Sequence, residues 1–122
     1  MFKLAILLGA GNAALAIILG AFAAHAIKDK LTERMLEVFS TAVDYHLYHA
    51  LGLVVVGILI KLQPNTASLH AAVYLMLFGI LIFCGSLYAL SLTNITKFGM
   101  ITPLGGLAFI AAWVCVLIAF LK

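Results

Sequence analysis

Apolar residues fall along this chain in long unbroken runs, and polar residues fall between them. Four stretches are nearly free of charge: 4–24, 42–61, 69–92 and 101–121. Each is about the length that a helix needs to cross a hydrocarbon core of about 30 Å. Strict alternation is absent, which argues against a β-barrel. The pattern predicts an all-α fold: an integral membrane four-helix bundle forming one transmembrane domain over residues 1–122. The turns are predicted at Gln63-Pro64-Asn65-Thr66 and over Asn94–Gly99. The first run follows Lys3 and ends at Ala24-His25-Ala26, as a secretory leader would. It exceeds the roughly 7–15 apolar residues of such leaders, so a retained span is expected. The third and fourth spans are expected to run without breaks. Thr102-Pro103 reads as a helix start, with Thr102 as cap and Pro103 at the first helical position.

The second span differs from the others. It is uniformly apolar only from Ala50 to Ile60, too short to cross, so it must reach back to about Ala42 and take Asp44, Tyr45, His46 and His49 with it. No Gly or Pro lies between Leu31 and Leu51, so one helix is expected from about Leu31 to Lys61, or two meeting at a bend near Ser40. Residues 30–41 form an amphipathic extension before the span. At about 100° per residue, Lys30, Glu33, Arg34, Glu37, Thr41, Asp44, Tyr45, Tyr48, His49 and Gly52 share one arc. Met35, Leu36, Phe39, Val43 and Leu47 lie outside it. His46 is off the stripe and is expected at the interface.

If Lys61 marks one boundary, His49 lies about 18 Å along the axis and Asp44 near the other boundary. Ionisable groups at such depths usually face the bundle interior or a water cavity. Up-and-down connectivity brings the end of span one, the start of span two, the end of span three and the start of span four to one membrane face. A shallow binding pocket on that face is therefore expected from His25, Asp44, Tyr45, His49, Tyr88 and Thr102. The opposite half offers little beyond Asn12 and His70. Polar residues between helices also serve as packing contacts, and that reading stands beside the pocket. Small residues that let helices approach closely are Gly9, Ala13, Gly20, Gly85, Gly105 and Gly106.

Composition narrows the function classes. Of 122 residues, 66% are apolar and 9% charged, against about 25% charged in soluble domains. The net charge of +3 is too small and too dispersed for nucleic acid, and it suits lipid head groups. Lys28, Lys30, Arg34 and Lys97 fall on one membrane face and Lys3, Lys61 and Lys122 on the other, so charge does not decide the orientation. Cys84 and Cys115 lie in apolar runs without metal-ligand spacing. No metal site, cofactor or catalytic constellation is expected: His46 points away from His49, and neither a nucleophile–base pair nor a phosphate loop is present. The expected role is a non-enzymatic structural or accessory component of the membrane. The alternative is a binder or transporter of a small solute, proton, metal ion or lipid head group. The expected partners are the lipid bilayer and either a second copy or a larger membrane complex.

Four segments occur in order: Gly20-Ala21-Phe22-Ala23-Ala24-His25-Ala26, Thr41 to Ala50, Gly85-Ser86-Leu87-Tyr88 and Ile101-Thr102-Pro103-Leu104-Gly105-Gly106. Together they resemble the YgdD-like family of small bacterial inner-membrane proteins, a domain of unknown function. The resemblance implies four spans and a bacterial inner membrane, and it supplies no substrate or cofactor. Ala23 stands where that family usually has Gly, and Asp44 where a basic or amide residue is common.

Overall fold

In hydrocarbon every backbone N–H and C=O must find its partner within the chain, and a helix does this locally. The computed structural model accordingly contains helices and no strand over its described residues, 1–121. Lys122, counted above with the charges of one face, lies outside them. The helices are α1 (Phe2–His25), α2 (Glu33–Leu62), α3 (Ala67–Gly79), α4 (Gly85–Thr93) and α5 (Thr102–Ala119). A π-helical turn, Ile80–Cys84, joins α3 to α4, and a 3-10 turn, Thr96–Met100, precedes α5. Four helical stretches are long and apolar enough to cross a membrane: Phe2–His25, Glu33–Leu62, Ala67–Thr93 and Thr96–Ala119.

Local chemistry sets several boundaries. Thr32 caps α2 by accepting from the backbone N–H of Met35 at 3.2 Å, which satisfies a free donor of the first turn. No bend interrupts the helix at Ser40; α2 runs as one piece for 30 residues. Asn94 ends α4 in the left-handed conformation, with φ of 61°, a state Asn tolerates better than most residues. Between α2 and α3, the His70 ring donates to the Pro64 carbonyl at 2.9 Å, holding the turn against the helix it opens.

Two expectations about helix regularity are corrected. Thr102 is the first residue of α5 and caps nothing; Ile101 occupies the cap position. The Thr102 hydroxyl instead shares a 2.5 Å hydrogen bond with Ser86 on α4, because packing brings that hydroxyl closer than the helix's own free N–H groups. The third span is not an unbroken α-helix either. Its π turn widens the helix midway, and the Gly85 N–H reaches back to the Ile80 carbonyl.

Packing forms an open series rather than a closed ring. α1 packs on α2; α2 packs on α3, the π turn and α4; α3 and the π turn pack on α5. Glycines permit the closest approaches. A Cβ on Gly9 would lie 2.7 Å from the Ala50 carbonyl oxygen, so α1 and α2 touch backbone to backbone there. A Cβ on Gly105 would overlap the backbone of Phe83, which presses α5 onto the π turn. Gly20 lies against Val43, Ala13 is half-buried, Gly106 makes ordinary contact with the Phe83 ring, and a Cβ on Gly85 would meet open space. The main core holds Leu53, Val56, Leu69, Val73, Met76 and Phe109. A smaller one gathers Ala23, Ile27 and Phe39 near the α1–α2 turn.

Candidate functional site

The open series leaves two corners where helices are near each other without close backbone contact: α1 beside α4, and α2 beside α5. A histidine of α2 bridges each corner.

His46 closes the first. It is 3% exposed, which corrects its expected interfacial position. Its Nδ1 lies 2.9 Å from the Tyr88 hydroxyl on α4, and its Nε2 lies 2.9 Å from Asn12 Oδ1 on α1. The amide of Asn12 is oriented by its Nδ2, which donates to the Leu8 carbonyl at 2.8 Å. Asn12 Oδ1 can only accept, so His46 Nε2 carries the proton and Tyr88 donates to Nδ1. Asn12, expected to stand apart in the opposite half, is thus part of a three-helix link. Tyr88 also packs against Phe39, ring centroids 5.0 Å apart. A groove of about 240 Å³ lies here, lined by Asn12, Leu15, His46, Leu81 and Tyr88 among others.

His49 closes the second. It is 5% exposed. Its Nδ1 lies 2.8 Å from the Tyr45 carbonyl one turn back, and its Nε2 receives the Trp113 indole N–H of α5 at 3.1 Å. A carbonyl only accepts and an indole only donates. The His49 proton therefore sits on Nδ1, the reverse of His46. The His49 ring stacks on Phe109, with centroids 3.5 Å apart and planes 12° apart. Tyr45 packs on Phe83 at 4.7 Å. Together Tyr45, His49, Phe83, Gly106, Phe109, Ile110 and Trp113 line a groove of about 410 Å³. Tyr45 is 40% exposed, and Ile110 and Trp113 are exposed as well, so this groove opens sideways toward lipid.

The six residues expected in one pocket are distributed as follows. Tyr45 and His49 share the aromatic groove between α2 and α5. Tyr88 lines the other groove with His46. Thr102 bonds to Ser86 at the foot of α5. Asp44 is exposed on a separate face of α2, beside Glu37 and Thr41. His25 is exposed at the end of α1. His46, Asn12 and Trp113 are participants that the helical wheel of a single span did not single out. The available signal was Asn12 itself, a lone amide in an apolar run that needs a polar partner from another span. Among the described residues no group of three or more His, Cys, Asp or Glu could hold a metal ion, and no buried side-chain polar atom lacks a hydrogen-bond partner.

Four apolar spans joined across their corners by hydrogen bonds define a small multi-pass membrane protein. The chain belongs to the family described as "Protein of unknown function (DUF423)", whose model matches residues 19–106. It is 49% identical over 120 residues to the UPF0382 membrane protein YwdK of Bacillus subtilis (strain 168), covering 98% of each chain. It is 43% identical to a UPF0382 membrane protein of Staphylococcus epidermidis, covering 98% of this chain and 97% of that one. It is also 43% identical to the UPF0382 membrane protein SSP2132 of Staphylococcus saprophyticus, covering 98% of each. No solved structure matches the chain. The expectation of an uncharacterised bacterial membrane family holds at this level.

Proposed function

We infer that the protein is a non-enzymatic accessory component of the membrane: a single domain of the YgdD-like type that packs against a second copy or a larger membrane complex. One observation carries this reading. Both ring nitrogens of both histidines are engaged by protein groups, so the buried imidazoles of α2 serve helix packing and neither offers a free general base or ligand. The flanking helices α1 and α5 remain mostly uncovered, with Leu7, Ile17, Ile18, Leu107 and Leu117 all exposed. Those faces meet lipid or another helix. Native mass spectrometry of protein released from its own membrane into mild detergent tests the reading. A homo-oligomer or a defined complex is expected; free monomers alone, with in-membrane cross-linking also negative, would overturn it.

A second reading, a binder of a small apolar molecule, is favoured by the aromatic groove at Tyr45 and His49. Pockets of this size lined by aromatic rings suit such ligands. It predicts a co-released ligand that Tyr45→Ala and His49→Ala variants lose. His25, Asp44, Tyr88 and Thr102 would then act outside that groove, as supports of the fold or of the membrane face.

A further inference from the structure

We propose, building on the second reading above, that the groove between α2 and α5 holds the ring of a lipid quinone: a flat, electron-poor ring that bears carbonyl groups and a long apolar tail. The volume of about 410 Å³ is within the range of small-molecule sites. The π turn places Phe83 in the wall, its ring centroid 4.7 Å from that of Tyr45, and such turns recur at functional sites.

The place of the groove in the fold sets how a ligand enters. α2 and α5 start on the same membrane face and run parallel. Gly106 and Trp113, which line the groove, lie about 6 Å and about 17 Å along α5 from its start at Thr102. The groove opens sideways, with Tyr45, Ile110 and Trp113 exposed, so a ligand comes from within the bilayer. No Asp, Glu, Lys or Arg lines it. A phospholipid head group would have to be drawn below the interface with its phosphate unanswered.

The wall selects a carbonyl-bearing ring over an acyl chain. The ring planes of Tyr45, His49 and Phe109 lie within 29° of one another, so a flat molecule can lie along faces of similar tilt. Aromatic faces carry the negative side of a quadrupole, which attracts a ring depleted of electrons by its carbonyls. Hydrogen-bond supply narrows the choice further. Both His49 nitrogens are taken, by the Tyr45 carbonyl and the Trp113 indole. Tyr45 joins that network only through its backbone; its hydroxyl has no partner among the described residues. Tyr45 stands one turn nearer the start of α2 than His49, at the shallow end of the groove. The groove therefore offers one free donor beside aromatic faces. A quinone carbonyl accepts that hydrogen bond; a plain hydrocarbon cannot. The tail leaves through the open side into lipid. The chain holds the ring and changes no bond in it.

Trp113, the one tryptophan of the chain, lines the groove, so quenching of its fluorescence by a quinone reports occupancy. The full chain in phosphatidylcholine nanodiscs is titrated with a methylnaphthoquinone carrying a short isoprenoid tail. The naphthalene with the same tail serves as competitor. Quenching should saturate, and the quinone should bind about fivefold more tightly than the naphthalene, near what one net hydrogen bond gives. Tyr45→Phe should remove most of that margin and leave naphthalene binding at the parental level. Tyr45 is 40% exposed, so this variant should keep the parental helicity and melting. Gly106→Leu, whose side chain would occupy the groove, should abolish saturation for both probes. Equal affinity for the two probes, or a Tyr45→Phe variant that keeps the parental margin, overturns the quinone and leaves the apolar-binder reading standing. A Gly106→Leu variant that has parental helicity and still saturates overturns this groove as the site. Quenching of the parent that rises without saturation overturns both the quinone and the apolar-binder reading.

Discussion

His46 and His49 stand three residues apart on α2 and use the same ring in opposite senses. His46 carries its proton on Nε2 and reaches two other helices, through Asn12 and Tyr88. His49 carries its proton on Nδ1, uses it on its own helix at Tyr45, and reaches one other helix through Trp113. His46 has its tautomer set by Asn12 Oδ1, and the Tyr88 hydroxyl, a group able to play either part, donates in response. His49 is stacked on Phe109 and faces groups that can each do only one thing. The first is a polar junction of three spans, the second an aromatic clamp between two. Burial alone does not separate them; the difference lies in what each neighbour can donate or accept.

Several measurements would break or sharpen this contrast. The largest effect is expected from His46→Ala. It removes both inter-helix bonds and leaves Asn12 and Tyr88 facing a void, for a loss of about 2–3 kcal/mol. Denaturation in detergent, followed by helicity, measures it. His49→Ala should cost less, about 1–2 kcal/mol, since it removes one inter-helix bond and the stacking on Phe109. If the order of these two variants reverses, the three-helix junction is not the stronger link. Smaller still are Tyr88→Phe and Trp113→Phe, which keep a ring and delete a single donor; each should cost about 0.6–1 kcal/mol. Pairing each with its histidine variant in a double-mutant cycle should show coupling within a corner and near-additivity between corners. The subtlest test changes no stability at all. Nitrogen chemical shifts of labelled histidine should show the Nε2–H form at His46 and the Nδ1–H form at His49. Two identical tautomers would contradict the assigned bonds.

The four-span bundle was legible because lipid demands it. Long uncharged runs and the need to close backbone hydrogen bonds leave few other folds. The polar network was legible only in part. A helical wheel groups residues by their neighbours on one helix, and it set His46 aside because its own face of α2 is otherwise apolar. The partner of His46 sits on α1, and the pairing depends on how far α1 slides along α2. That register comes from contacts such as Gly9 against Ala50, which no periodicity reveals. The π turn was hidden for a similar reason: Ile80–Cys84 reads as any apolar helical stretch, and only packing of Phe83 against Gly105 and Phe109 distinguishes it.

The open series of helices also bears on how the bundle comes together after insertion. It divides into two hairpins, residues 1–62 and 67–121, joined by the turn at Gln63–Thr66. Bonds inside a hairpin, His46 to Asn12 and Ser86 to Thr102, need no group from the other half. Only two of the side-chain bonds described above cross between halves, and both run the same way: Tyr88 and Trp113 give, His46 and His49 receive. The leading hairpin thus enters the bilayer bearing two vacant acceptors, and the trailing one bears two vacant donors. Two leading halves cannot satisfy each other through these groups, nor can Trp113 of one trailing half satisfy that of another. The pairing is polarised like a plug and socket, which matches a first half to a second half and not to another first half.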